Sequence, residues 1–360
     1  MLRSRALLVI ACFISMILVT PVASAAPTES LDAFPTRLPW TLAGAAAVST
    51  GSTIYLIGGI RNGELSTAIT RFDPATGALV DETVQLPGAR YGASAVWTGT
   101  EILIFGGATW TGDWNDTLHF NPVTKVLRYG TNMTSTRSFA PTVWTGHYAY
   151  LFGGAWGLDQ IRYDALRYDP QTEAMVVVPN SRLPGFPRQI TATWDGTRAI
   201  IFGGGDAAFS VMTFDPATET YSYLNATAFS RVVTGSSVQI GTYSYVFSGW
   251  QVGPGYVNRI QRLRVEPADS GTSTAVFAPP RGLTAAAAIG DRAYVFGGWN
   301  GTAYSNAIEV FHSAEGPNLL LWIGVAGLVA AVAIVGVAVW ARRRRRAGKS
   351  KSEEKPPEGT

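Results

Sequence analysis

The chain is poor in the residues that most often carry chemistry. Among its 360 residues there is one cysteine, Cys12. A single thiol excludes a disulfide framework and any cysteine-based zinc site. Three histidines, His119, His147 and His312, leave little for a histidine-rich metal centre. Charged residues make up only 15% against 47% hydrophobic, which excludes a disordered chain or a long coiled coil. A basic surplus is also missing from most of the chain. Arg3 and Arg5 bring +2 and the tail after residue 341 brings +5, so the net +3 leaves −4 for the middle. The middle therefore has nothing to attract nucleic acid. There is no Gly-x-Ser-x-Gly, no His-Glu-x-x-His and no phosphate loop. No catalytic residue, cofactor or metal ligand is expected.

Long apolar runs are confined to the two ends. Residues 1–26 read as a secretory signal peptide: Arg3 and Arg5, the apolar stretch Ala6 to Val19, then Ala23-Ser24-Ala25 as a cleavage pattern. Cleavage would remove Cys12. Leu319 to Trp340 is apolar throughout and long enough to cross a bilayer as a helix. Arg342 to Arg346 follow at once, and such a cluster stays on the cytoplasmic side. The expected topology is a single-pass type I protein of the cell membrane, with its folded part outside. The expected divisions are a signal peptide (1–26), a folded region (27–312), a linker (313–318), a transmembrane helix (319–341) and a basic cytoplasmic tail (342–360). So short a linker spans roughly 20 Å at most, which keeps the folded region close to the bilayer.

Between the ends one unit recurs six times. Gly58-Gly59 returns as Gly106-Gly107, Gly153-Gly154, Gly203-Gly204, Ser248-Gly249 and Gly297-Gly298, at spacings of 48, 47, 50, 45 and 49. A marker glycine lies seven residues before each pair: Gly51, Gly99, Gly146, Gly196, Gly241 and Gly290. Six equal offsets set the register of the repeat. Between marker and pair run apolar segments such as Ile54-Tyr55-Leu56-Ile57 and Ile102-Leu103-Ile104-Phe105, which read as buried strands. The marker turn, as in Thr98-Gly99-Thr100, joins that strand to a preceding one in a hairpin. A third strand ends in Phe72-Asp73-Pro74, Phe120-Asn121-Pro122, Tyr168-Asp169-Pro170 or Phe214-Asp215-Pro216, each a turn signal. A fourth, more polar strand leads to the next unit. Four strands in about 45–50 residues make the blade of a β-propeller. The strand before each marker is full of small residues, as in Ala43 to Ala47 and Ala285 to Ala288, which suits strands crowded around an axis. The sixth unit runs out after Phe311-His312, and residues 31–40 are expected to supply its missing strand and close the ring.

These residues resemble the kelch-repeat propellers over about residues 30–312. The marks are the apolar run with Gly-Gly, the aromatic-Asp after it, and the arginine before the next unit. Those arginines are Arg90, Arg137, Arg188, Arg231 and Arg281, at 15 to 17 residues before each pair. The tryptophan usual in the fourth strand is missing. The resemblance implies an all-β, six-bladed kelch-type propeller that binds partners through its loops. The related galactose oxidases need copper and a Cys–Tyr crosslink, which a chain without a mature thiol cannot make. The arginines are expected to hydrogen-bond backbone carbonyls between blades rather than form a basic ring for an anion.

Tryptophan offers the clearest candidate site. Trp97, Trp144 and Trp194 share a repeat position beside a hairpin turn and read as packing residues. Trp110, Trp156, Trp250 and Trp299 instead lie just after the glycine pairs, with Trp114 nearby and Arg61 in the first such loop. Such a rim would stack on sugars or bury a peptide. Asp113-Trp114-Asn115-Asp116 is acidic but lacks the spaced oxygen series of a calcium loop. Asn115, Asn132, Asn225 and Asn300 each open an N-glycosylation sequon, and a glycan at Asn300 would crowd Trp299. The expected function is non-catalytic binding of an extracellular protein or glycan at the cell surface. The alternatives are a carbohydrate-active propeller enzyme, such as a sialic acid mutarotase, or a structural envelope protein.

Overall fold

A computed structural model describes residues 26–314, apart from 157–159, 184–186, 188, 204–210, 225–228, 231 and 252. The apolar segments before the glycine pairs become the second strands of six four-stranded antiparallel sheets among the described residues. In four of them, Ile54–Ile57, Ile102–Phe105, Ala149–Phe152 and Ala199–Phe202, every residue is buried. The cause is that both faces of each sheet are covered by neighbouring sheets. Ile102 and Ile104 pack with Tyr55 and Ile57 of the first sheet. Leu103 and Phe105, pointing the other way, pack with Leu151 and Tyr168 of the third. One strand thus feeds two cores, which is why its sequence is apolar without alternation. The fourth strands show the opposite pattern: in Ala78–Gln85 no residue is fully buried.

The first strands, Ala46–Ser49, Ser94–Trp97, Thr142–Trp144, Thr191–Trp194, Ser236–Ile240 and Ala285–Ile289, are each in contact with the next. The last of them also touches the first, so the six sheets close around a channel. Tyr294 and Phe296 of the sixth sheet pack with Ile54, Leu56 and Phe72 of the first, with Phe296 and Phe72 edge to face at 5.2 Å. No helix interrupts the described residues, so the fold is all-β.

Closure uses the N-terminal segment. Thr28–Ala33 is the outer strand of the sixth sheet, beside Ile308–Ala314. The strand therefore starts upstream of residue 31, where the sequence places it. Residues 34–40 continue alongside as irregular chain, with the Phe34 N–H donated to Ile308 O (2.8 Å) and that of Leu38 to Asn306 O (3.0 Å). Glu29–Ala314 forms one compact unit. Residues 1–25 of the signal segment, the linker from residue 315 on, the apolar run 319–341 and the basic tail lie outside the described residues. Among the described residues no helix is long and apolar enough to cross a membrane.

Gly290 and Gly297 show what the paired glycines are for. Both adopt the left-handed conformation, at φ +61° and +60°. A Cβ on Gly290 would meet nothing within 4 Å, whereas one on Gly297 would lie 2.1 Å from the carbonyl oxygen of Leu42 in the neighbouring unit. Gly290→Ala is expected to cost about 1–2 kcal/mol, the left-handed penalty alone. Gly297→Ala adds a backbone clash and is expected to lower the thermal midpoint at least three times as much. Thermal melts of the two variants check this; equal losses would show that close approach is not what the pair serves.

Candidate functional site

The site is built on the position seven residues before each marker glycine. Gly44, Gly92, Phe139, Gln189, Thr234 and Leu283 occupy it, all with φ between +50° and +62°. In that conformation one residue donates its N–H to the sheet before it and offers its C=O to the sheet after it. The Gly92 N–H reaches Gly44 O and the Phe139 N–H reaches Gly92 O, both at 2.7 Å. The Thr234 N–H reaches Gln189 O (3.1 Å), and the Leu283 N–H reaches Thr234 O (2.8 Å). The Gly44 N–H then reaches Leu283 O at 2.8 Å and joins the last unit to the first. These residues surround one mouth of the channel, a cavity of about 170 Å³ floored by the small residues of the first strands.

Two glycines in this circle make room for aromatic rings. A Cβ on Gly92 would lie 2.7 Å from the Phe139 ring, and one on Gly44 would lie 3.3 Å from the Tyr91 ring. Tyr91 meets Phe139 edge to face at 5.5 Å and Trp110 at 5.5 Å with the rings tilted by 38°. Trp110 is 58% exposed. It sits in a tight turn in which the Thr109 N–H is donated to Gly112 O, and Ala108 pairs with both Tyr91 and Asp113. Asp113 closes that turn, and its carboxylate lies 2.8 Å from the Ser138 hydroxyl, which is shared with the carbonyl oxygen of Ala155. Burial outweighs this hydrogen bond and the field of Arg162, and pushes the Asp113 carboxyl up to about 6. Trp110, Tyr91 and Phe139 thus form a run of ring contacts across the second and third units, with Asp113 tied beside it through the buried Ser138.

The remaining predicted rim residues are less alike than their spacing suggests. Trp250 and Trp299 share a register immediately after the pair, where they bridge to Val233 and Gly282. Trp110 is two residues further on. Trp250 is 37% exposed, while Trp299 is half-buried against Tyr304, with ring centroids 4.4 Å apart. The backbone of Trp156 lies in the short ribbon Ala155–Trp156 with Gln160–Ile161. Arg61 is engaged within its own unit. Its guanidinium donates twice to Asp81 (2.8 and 3.1 Å) and once to Thr70 (2.6 Å), and lies over Trp40 at 3.7 Å. Trp97, Trp144 and Trp194 pack against the cores between sheets, and they also line the opposite mouth, a cavity of about 320 Å³.

Comparison with known families accounts for this repeat. The profile of the KLHDC2/KLHL20/DRC7 Kelch-repeats domain matches residues 44–249, and that of the Kelch motif matches residues 280–316. The chain belongs to the kelch-repeat family. Kelch repeats generally mediate protein–protein interaction, and domains built from them are usually non-catalytic binding scaffolds. No curated protein matches the chain in sequence.

The kelch arginines need a correction. Arg90, Arg137 and Arg281 share one register, nine residues before the marker glycine, where Leu42, Pro187 and Val232 stand in the other units. Arg188 and Arg231 are one residue out of register and lie outside the described residues. Each of the three is fully buried. Arg90 donates to Gly106 O (3.0 Å) and to both oxygens of Asp116 (2.5 and 2.9 Å), with its guanidinium over Trp114. Arg137 donates to Gly153 O (2.7 Å) and Asp164 (2.7 Å), and Arg281 pairs with Glu309. The side chains therefore grip their own unit, and the contact between units is made by the backbone carbonyls. The N–H groups of Gly59, Gly107 and Gly249 are donated to the carbonyls of Arg90, Arg137 and Arg281 at 2.8 to 3.0 Å.

The acidic loop is absorbed by the same contacts, since Asp116 serves Arg90 and Asp113 serves Ser138. Of the sequons, Asn132 is exposed. The Asn115 amide is donated to Met133 O (3.4 Å) and its Thr117 is fully buried. Asn300 accepts the hydroxyl of Thr302 at 2.9 Å within its turn. Asn225 lies outside the described residues. His119 is buried between Glu101 (2.9 Å) and the Tyr168 hydroxyl (2.7 Å), where it ties the second sheet to the third. Removing Arg90 strands a buried carboxylate, so Arg90→Ala is expected to cost about 3–5 kcal/mol in urea melts. The double variant Arg90→Met with Asp116→Leu is expected to recover most of it. A stable Arg90→Ala protein would show that the Arg90–Asp116 pair is not what holds its unit together.

Proposed function

We propose that this chain is a membrane-tethered, six-bladed kelch propeller that binds a protein partner through the face carrying the paired glycines. The observation that carries this reading is the surface of Trp110, Tyr91 and Phe139. Tyr91 is in contact with the rings of Trp110 and Phe139, Phe139 lines the mouth of the channel, and Trp110 is more than half exposed. Packed aromatics in a preformed arrangement supply apolar contact at little ordering cost, which is how interface hot spots work. On the opposite face Trp97, Trp144 and Trp194 are only partly exposed, because they are partly spent on the inter-sheet cores. The tether is read from sequence: a signal segment over residues 1–26, an apolar helix over 319–341 and Arg342 to Arg346 behind it. On this reading the propeller of residues 27–312 stands outside the cell, with the linker 313–318 holding it near the bilayer and the tail 342–360 inside.

The partner is found by placing a photo-crosslinking residue at position 112, beside Trp110, in the full chain in its own membrane. Trp110→Ala is expected to lower the crosslinked product at least tenfold. Trp250→Ala, exposed on another unit, is expected to change it less than twofold. Equal effects, or none, would remove the aromatic surface as the binding face. Deleting residues 319–341 is expected to move the chain from the carbonate-resistant membrane fraction to the soluble one; retention in the membrane would refute the tether.

A further inference from the structure

We infer that the aromatic surface is a receptor for a basic side chain, arginine or lysine, presented by the partner, with Asp113 as its counter-ion. This deepens the proposed function and rests on it. Three observations converge. The first is connectivity: Trp110 meets Tyr91, Tyr91 meets Phe139, and Phe139 adjoins Ser138, which holds the Asp113 carboxylate. The circuit closes through the turn that carries both Trp110 and Asp113, where Ala108 pairs with Asp113. One turn therefore carries an exposed ring and, three residues on, a partly buried carboxylate. That pairing is chemically selective. Ring faces and a carboxylate both attract a cation, and neither attracts an anion.

The second observation is that the same chain already uses this chemistry twice. In the first unit Arg61 lies over Trp40 and is held by Asp81. In the second, Arg90 lies over Trp114 and is held by Asp116. Each time a guanidinium is fixed between a tryptophan and a carboxylate. At Trp110 and Asp113 the ring and the carboxylate recur, and the ring is exposed.

The third is electrostatic. The charged group whose field reaches Asp113 is Arg162 of the third unit; Ser138 donates from the adjoining loop. Together they fail to offset the burial of the carboxylate, which stays protonated up to about pH 6. A further cation placed on the ring face would supply what they do not. The sign follows: binding requires the ionised carboxylate, so affinity falls as pH drops through 6. At pH 5 about one tenth of the carboxylate is ionised, so affinity is expected to fall about tenfold relative to pH 7.5.

The probes are N-acetyl-arginine amide and its neutral isostere, N-acetyl-citrulline amide. Both are titrated into the full chain labelled with 5-fluorotryptophan, with the Trp110 resonance assigned from Trp110→Phe. The arginine amide is expected to shift that resonance with a millimolar Kd at pH 7.5 and to bind at least fivefold more tightly than citrulline. Asp113→Asn is expected to abolish the difference. In that variant Ser138 still has an oxygen to donate to, and an unchanged thermal midpoint at pH 5 shows that the fold is kept. Equal binding of the two amides, no shift with either, or an arginine preference that survives Asp113→Asn or the drop to pH 5 would each overturn the inference. Such a result with crosslinking still dependent on Trp110 discards only the cation and leaves the binding face standing. Crosslinking indifferent to Trp110→Ala discards the face itself.

Discussion

The structure depends on two backbone belts that tie each unit to the next. In one, the left-handed residue seven before the marker donates to its counterpart in the preceding unit, as from Gly92 to Gly44 and from Gly44 to Leu283. In the other, the second residue of each pair among the described residues donates forward, as from Gly59 to Arg90 O and from Gly298 to Leu42 O. The donors run in opposite directions, so a pair of neighbours bonded by both belts cannot slip without breaking two bonds. The junction of the sixth unit with the first carries both, at 2.8 and 2.7 Å. Closure is thus chemically the same event as any other contact between units. It needs only that the chain bring the right backbone groups to the gap.

The belts also explain where charge is spent. Away from the axis, neighbouring units are joined by ion pairs: Lys125 with Glu82, Arg128 with Glu173, Arg167 with Glu219, Arg198 with Glu266 and Arg262 with Glu29. The more exposed ones, such as Arg198 with Glu266, contribute about 1 kcal/mol or less each, whereas Arg262 with Glu29 is largely buried. They set spacing rather than hold the ring shut, which is the work of the belts and of the cores between sheets. Asp113 differs from these groups in meeting a hydroxyl, Ser138, rather than a basic side chain across its junction.

Much of this was legible before any coordinates. The constant offset of seven gave six units, their hairpins and the small-residue strands, because close packing around an axis leaves a periodic trace in composition. The same offset counted backwards lands on Gly44, Gly92, Phe139, Gln189, Thr234 and Leu283, but their chemistry is unlike and hid the pattern. What they share is a backbone angle, which no side-chain alphabet records when four of six are not glycine. The arginines misled for the converse reason. Arg188 and Arg231 fall within one residue of the register, yet the conserved task is a carbonyl, and Pro187 O serves it for the Gly154 N–H at 3.3 Å. Arg61 looked available because Trp40 and Asp81, which hold it, are some 20 residues away on either side. Trp110 was visible as an aromatic after a pair, but Tyr91 and Phe139, which make it part of a surface, were not.

Phe139 shares its left-handed backbone with Gln189, Thr234 and Leu283, and differs from them in placing a ring against Tyr91. A bulky side chain in the left-handed region costs about 1–2 kcal/mol, which glycine at Gly44 and Gly92 avoids. Its edge-to-face contact with Tyr91 returns about 0.5–1.5 kcal/mol. The two terms nearly cancel, so the belt would close as well with glycine there, and stability does not dictate the ring. What the ring adds is a base for Tyr91 and, through Tyr91, a fixed position for Trp110. It is also bonded in sequence to Ser138, which aims Asp113. A near-neutral strain placed where it orders both halves of one surface is what a binding site needs from its scaffold, because the circle repeats and the site must not.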